Sequence, residues 1–240
     1  MPTALITGGS AGLGRALGLA LAEHGWQLVV DARDRDRLDR AADEMRALTD
    51  VVAVAGDVSD PEHQQALVAE VGSGGGLDLL VNNASMLGPS PLRPLADLTG
   101  ADLRAILATN VEAPHALARR LLPFLVRAGG VVLSLSSDAA VEHYPGWGGY
   151  AASKAALDHL TLTLAAENPE ITAYAVDPGD MRTEMHQRAF PGEDISDRPY
   201  PETVVSVLVQ LLRSRPGSGR YRLSDLRAEA RPVEPAGAGR

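Results

Sequence analysis

Thr3-Ala4-Leu5-Ile6-Thr7-Gly8-Gly9-Ser10-Ala11-Gly12-Leu13-Gly14 joins a short apolar run to a helical pattern that continues to His24. A strand over 3–7, a glycine turn and a helix over 12–24 are the expected elements. Glycines at 8, 12 and 14 permit a tight turn, close approach of a pyrophosphate to the main chain, and close packing of helix on strand. The helix N-terminus adds amide donors and a positive dipole end. In this strand–turn–helix setting the turn reads as a dinucleotide site rather than a plain structural turn. No Gly-Lys-Ser/Thr follows, which excludes an ATP-type phosphate loop.

Outward from this unit, apolar runs at Gln27–Ala32, Val51–Ala55, Leu77–Val81, Val131–Leu135, Ile171–Val176 and Gly219–Leu223 read as further strands. Helical patterns fall near 34–48, 60–71, 101–127, 149–168 and 202–213. Such alternation predicts an α/β fold, a single doubly wound Rossmann domain with a parallel seven-stranded sheet and helices on both faces. The domain is expected to run over 1–226, with 227–240, rich in Ala, Pro and Gly, as a flexible C-terminal tail. Gly72–Gly76 reads as a surface loop, and 184–201 shows no clear periodicity.

The chain has 240 residues, a net charge of −9 and no cysteine. An acidic chain lacks the basic footprint that nucleic acid requires. The absence of cysteine excludes disulfides and thiolate sites and suits a reducing compartment. The N-terminus enters a strand at once and lacks a signal-peptide pattern. No run of eighteen apolar residues reads as a membrane span, so a cytoplasmic protein is expected. The six histidines show neither a His-x-x-x-His pair nor a ligand cluster, so no metal site is expected.

A second pattern carries chemistry. Tyr150 and Lys154 share a helix face at i and i+4. A nearby cation is expected to pull the phenol towards the range that acid–base work needs. Taken by itself, the pair reads equally well as an exposed tyrosine beside a solvated lysine. Ser136 and Ser137 follow the fifth expected strand, and loops at strand carboxyl ends are where open α/β sheets hold ligands.

Together, Thr7-Gly8-x-x-x-Gly12-x-Gly14, Asn82-Asn83-Ala84, Asn110, Ser137, Tyr150-x-x-x-Lys154 and Asp177-Pro178-Gly179-x-x-x-Thr183 resemble the short-chain dehydrogenase/reductase family over about residues 3–225. The resemblance implies an NADP(H)-dependent oxidoreductase that interconverts a carbonyl (ketone or aldehyde) and an alcohol, with a tetrad of Asn110, Ser137, Tyr150 and Lys154. Ser137 would bond the carbonyl oxygen, Tyr150 pass it a proton, Lys154 activate the tyrosine and hold the nicotinamide ribose, and Asn110 anchor a relay water. Further cofactor contacts are implied for Gly8, Ser10, Gly12, Leu13, Gly14, Arg33, Asp57, Val58, Asn83, Ala84, Pro178, Gly179, Met181 and Thr183. Asp57 would accept from the adenine amino group. The pattern departs at Ser85, where the family usually has glycine; this serine is expected to reshape the pocket. His143, Tyr144, Trp147, Met181, Met185, His186 and Phe190 stand where substrate contact or simple packing is expected.

Cofactor choice rests on Asp31-Ala32-Arg33. Matched to the family, the usual acidic position falls on Ala32, and Arg33 resembles the phosphate-gripping residue of NADP-preferring members. Asp31 is the competing reading, which would favour NAD(H). The second basic anchor of such members is Ala11 here. The expected partners are a small-molecule carbonyl or alcohol and a second copy of the chain, as a homodimer or homotetramer. Two alternatives remain at this point: a non-catalytic dinucleotide-binding regulator, and an enzyme for carrier-linked acyl chains.

Overall fold

The computed structural model describes residues 1–229. Seven strands, β1 (Thr3–Ile6), β2 (Gln27–Ala32), β3 (Val51–Ala55), β4 (Leu79–Asn82), β5 (Val131–Leu135), β6 (Thr172–Asp177) and β7 (Gly219–Arg222), form one sheet. Their order is β3-β2-β1-β4-β5-β6-β7, and every pairing is parallel. The helices are α1 (Gly12–Glu23), α2 (Arg35–Arg46), α3 (Pro61–Ser73), α4 (Gly100–Leu107), α5 (Ala113–Ala128), α6 (Gly148–Glu167), α7 (Glu184–Ala189), α8 (Glu202–Ser214) and α9 (Leu223–Glu229).

A parallel sheet needs helices on both faces, so its central strands are apolar at successive positions. Alternate residues then feed two cores. Ala4, Ile6, Leu28, Val30, Leu133 and Val176 pack with α1, α2 and α8. Leu5, Val29, Leu80, Val132 and Ala173 pack on the other face with Leu67 of α3, Leu117 and Leu121 of α5 and Ala165 of α6. The strand order reverses direction between β1 and β4, which places a crevice beyond their carboxyl ends.

The helix starts differ in a way that matters at that crevice. Asp34, Asp60 and Thr99 cap α2, α3 and α4 with their side chains. The N-terminus of α1, at Ala11, has no side-chain cap.

Three expectations need correction. The helix expected over 101–127 is broken: a π turn at Ala108–Glu112 separates α4 from α5. One inserted residue leaves the apolar period nearly intact, so sequence patterning passes over it. The segment 184–201 is not without structure, because α7 occupies its start, capped by Thr183 Oγ1 accepting from His186 N at 3.1 Å. Six residues are too few to display a helical period. Leu223, expected in the last strand, starts α9, whose main chain continues through Glu229. The rest of the expected tail, 230–240, lies outside the described residues.

Candidate active site

The end of β1 is fixed by one hydroxyl. Thr7 Oγ1 donates to Val81 O at 3.2 Å and accepts from Asn83 N and Ala84 N, each at 3.0 Å. Asn83 Nδ2 donates in turn to Thr7 O at 2.7 Å and Gly8 O at 3.1 Å. The glycine turn therefore lies directly on the end of β4. A Cβ on Gly14 would stand 2.4 Å from both Gly8 O and Asn83 Nδ2, so no other residue fits there. Gly8, at φ +69°, meets the same obstacle.

Beyond this floor runs a groove of about 670 Å³. The glycine turn contributes Gly8, Ser10, Gly12 and Leu13, the end of β2 contributes Arg33, and the loop after β3 contributes Asp57 and Val58. Asn83 and Ala84 line it from β4, Pro178, Met181 and Thr183 from the loop after β6, and Tyr150 and Lys154 from α6. A smaller cavity of about 110 Å³ adjoins it, lined by Ser137, Trp147, Gly179, Met185 and His186. Tyr150 lines both. Asn110 lines neither cavity and lies buried behind them.

Asn110 holds the site together from the π turn. Its Nδ2 donates to Met86 O and to Ser153 Oγ, both at 2.9 Å, and its Oδ1 accepts from Met86 N at 2.7 Å and Ser85 Oγ at 3.3 Å. The side-chain amide thus ties the loop after β4 to α6. Ser85 sits in ordinary backbone conformation, so this position makes no demand for glycine. Lys154 is buried, with Nζ donating to Leu135 O at 2.7 Å and lying 5.5 Å from the centre of the Tyr150 ring. Ser137 Oγ donates to Asp138 Oδ1 at 2.9 Å.

The chain matches the family described as short chain dehydrogenase over residues 2–194. The chain belongs to the short-chain dehydrogenase family. It is therefore an oxidoreductase by descent. An 11-beta-hydroxysteroid dehydrogenase A of Sesamum indicum is 33% identical over 238 residues, covering 97% of this chain and 68% of that protein. Among solved structures, an alcohol dehydrogenase of Thermococcus sibiricus complexed with 5-hydroxy-NADP superposes with a TM-score of 0.83 at 27% identity, covering 92% of this chain and 95% of that one. A short chain dehydrogenase of Shigella flexneri complexed with NADP gives 0.86 at 26% identity, covering 93% and 97%.

The electrostatics of this short-chain dehydrogenase correct one expectation. The Tyr150 phenol is pushed above its ordinary value, not below it. Burial is the chief cause; the Ser137 and Ser85 hydroxyls beside it act in the opposite sense, and the Asp138 and Asp177 carboxylates reinforce the rise. Burial likewise pushes Lys154 down to about 8 from 10.5, with the Asp158 carboxylate holding it up. Both groups sit in a low-dielectric interior that disfavours their charged forms.

Asp31 occupies a place the sequence left open. Its Oδ1 accepts from Gly8 N at 2.7 Å, and its Oδ2 accepts from His63 Nε2 at 3.0 Å. The carboxylate is turned beneath the glycine turn and buried. The His63 ring packs on Gly56, where a Cβ would stand 2.2 Å from Nδ1. Asp57 Oδ1 accepts from Ser59 N at 2.9 Å and Ser59 Oγ at 2.7 Å. Arg33 is exposed on the groove wall. Near it Arg37 forms a two-pronged ion pair with Glu184 of α7, at 2.8 and 2.5 Å.

Trp147, Met181, Met185 and His186 line the cavities, whereas Phe190 packs on Trp147 and His186. Tyr144 donates to Asp138 Oδ2 at 2.9 Å, and His143 is exposed. Sequence reasoning named Thr7 only as part of the glycine motif and gave no role to His63, Ser153 or Arg37, which act through partners far along the chain. Asp31→Ala would leave the Gly8 N–H and His63 Nε2 without their partner, at a cost of about 1–3 kcal/mol for each buried group. Urea denaturation should show that loss, and an unchanged midpoint would remove Asp31 from the support of the turn.

Proposed function

We propose that this chain is an NADP(H)-dependent oxidoreductase that interconverts a ketone or aldehyde and its alcohol. The observation that carries the reading is the position of Tyr150, a protonated phenol standing where the long groove meets the small cavity, with Lys154 behind it and Ser137 beside it.

The residues present fit a dinucleotide phosphate. Gly8 and Gly12 line the groove, where a Cβ on Gly12 would stand 3.6 Å from Thr183 Cγ2, and α1 starts there without a side-chain cap. Arg33, Arg37 and Arg15 also line the groove, Arg37 paired with Glu184 and Arg15 with Glu44. Of the carboxylates near the end of β2, Asp31 is already committed to Gly8 and His63, and Asp34 caps α2 by accepting from Arg37 N at 3.0 Å. A 2′-phosphate would meet cations there, and a site for NAD(H) would want a free acid. When bound, the cofactor supplies or accepts a hydride at its nicotinamide ring.

The chain's own groups handle the proton and the charge. Because burial keeps the Tyr150 phenol protonated through neutral pH, it serves as the acid that donates to a reduced carbonyl oxygen. Ser137, freed from Asp138 by rotation of its hydroxyl, donates a second hydrogen bond to that oxygen as negative charge builds. Lys154 stabilises the phenolate that remains, so its own proton must be present. Asn110 fixes the geometry by holding the Met86 main chain to Ser153.

The assembly is proposed to be two-fold and built on the segment from α4 through α5 and on α6. Leu103, Leu107, Val111 and Leu122 are only half-buried, and Leu160 of α6 is exposed. This apolar stripe exceeds what one buried helix face needs.

Four outcomes are expected. Tyr150→Phe should lose turnover by about 10²–10⁴-fold while still binding NADPH, as read by steady-state kinetics and fluorescence titration. In the parent, kcat/KM for reduction should hold at lower pH and fall as pH rises through the Lys154 value of about 8. A Tyr150→Phe enzyme that kept most of its kcat would overturn the reading. Arg33→Ala should weaken NADPH by about 10–100-fold with little change for NADH, as the loss of a charge-assisted hydrogen bond requires. Equal loss for both cofactors would remove Arg33 from phosphate recognition. Light scattering should give a mass at least twice 25.2 kDa at micromolar concentration, and a single 25.2 kDa species would exclude the two-fold assembly.

A further inference from the structure

Arg220 lies on the last strand, β7, opposite Ala175 of β6, and plays no part in the chemistry described above. Its guanidinium nevertheless joins three segments of the site. Nε donates to Asp158 Oδ2 at 2.9 Å, Nη2 donates to Ser137 O at 2.8 Å, and Nη2 stands 3.9 Å from Asp177 Oδ2. Ser137 follows β5. Asp158 lies one turn beyond Lys154 on α6. Asp177 ends β6 and accepts from Gly179 N at 3.0 Å, fixing the Pro178–Gly179 turn.

Resting on the function proposed above, we infer that Arg220 is a positioning residue of the active site: it clamps the main chain of Ser137 and holds the Asp158 carboxylate in place one turn behind Lys154.

Two features separate this from a strut for an edge strand. First, β7 is already attached through four register pairs with β6, so its pairing needs no inward cation. Second, Asp158 is a buried carboxylate whose Oδ1 has no hydrogen-bond partner among the described residues. Such a group costs stability wherever it occurs, and sites that break this rule are usually functional. Here the carboxylate is the charge that opposes the loss of the Lys154 proton to burial. Arg220 binds one of its two oxygens and leaves the other unbonded among the described residues, which fixes the carboxylate's position.

The groups around the Tyr150–Lys154 pair are few. Asp158 shares their helix, Asp138 faces them from the loop after β5, and Asp177 and Arg220 face them from β6 and β7. The sign of the effect follows. Without Asp158, Lys154 loses its proton at lower pH, so activity that needs the ammonium falls earlier as pH rises.

The test compares Arg220→Met, Arg220→Lys and Asp158→Asn with the parent. Arg220→Met should lower kcat by about tenfold or more, with KM for the carbonyl and the NADPH dissociation constant, read by fluorescence, changed by less than about threefold. Arg220→Lys keeps the charge and should recover part of that loss. Asp158→Asn should shift the alkaline fall of kcat/KM to lower pH. A parent-like kcat in Arg220→Met, or an unmoved pH profile in Asp158→Asn, would overturn the inference. So would a loss that follows NADPH affinity or thermal midpoint alone. If Arg220→Met does not fold, the Arg220→Lys and Asp158→Asn arms decide. Failure of the wider reading is separately visible, because Tyr150→Phe would then remain active.

Discussion

Thr7 commits one hydroxyl to three partners across the junction of β1 and β4, and the site is arranged around that commitment. With both strand ends held together, the glycine turn has only the space between Asn83 and the start of α1. That is why side chains are excluded at Gly8 and Gly14. At the same turn the N-cap position of α1 is Ala11, which has no polar side chain to cap the helix. A turn pressed so closely on a strand end is difficult to build and stiff once built. Stiffness is what a phosphate cradle requires, because donors already in place lose little entropy on binding.

The site also depends on where charge is buried. Asp31 is deeply buried and stays satisfied, with one oxygen on an amide and the other on His63. Lys154 is buried with Nζ donating to Leu135 O, and burial outweighs the neighbouring hydroxyls in setting Tyr150 above its ordinary value. The first arrangement is stable and inert. The second leaves two groups with displaced proton affinities beside a cavity, which is the condition for moving protons at neutral pH. One carboxylate supports the fold and the other, Asp158, polarises the site, and their hydrogen-bond partners distinguish the roles.

Most of the fold was legible because a parallel sheet buries both faces of its strands. Runs such as Gln27–Ala32 and Val131–Leu135 are apolar almost end to end, and their limits match the structure; Val51–Ala55 matches too, although as the edge strand β3 it is only partly buried. The π turn at 108–112 was not legible, because helical periodicity tolerates one inserted residue, nor was α7, which is shorter than two periods. In the site, residues adjacent in sequence, Tyr150 with Lys154 and the glycines of the turn, announced themselves through spacing. Groups joined across the chain did not. Asn110 meets Ser153 across 43 residues and Arg220 meets Ser137 across 83, distances over which no local pattern survives. Asp31 could be weighed against Ala32 from sequence, but the direction of its carboxylate is set by Gly8 and His63, which only the fold brings near.

The substrate side rests on a different foundation from the cofactor side. Tyr150 is a member of a small third core with Leu87, Ala139 and Ala189, against which Trp147, Met185 and Phe190 pack. Trp147 meets the Tyr150 ring edge-on at 5.7 Å between centres, and Phe190 meets Trp147 at 6.0 Å. The Tyr150 ring is thus also part of the seat on which α7 rests. α7 is also tied by Ser90 Oγ, which donates to Arg188 O at 2.7 Å, and across the groove by the Arg37–Glu184 pair, whose Glu184 side chain is 72% exposed. Solvent-exposed ion pairs contribute little to stability, so the apolar contacts carry most of the attachment of α7. A short helix held by a few partly buried side chains belongs to the low-stability end of a structure, where local opening is easiest. The sheet ends and the glycine turn are the rigid half of this site, and α7 with its aromatic seat is the half that yields.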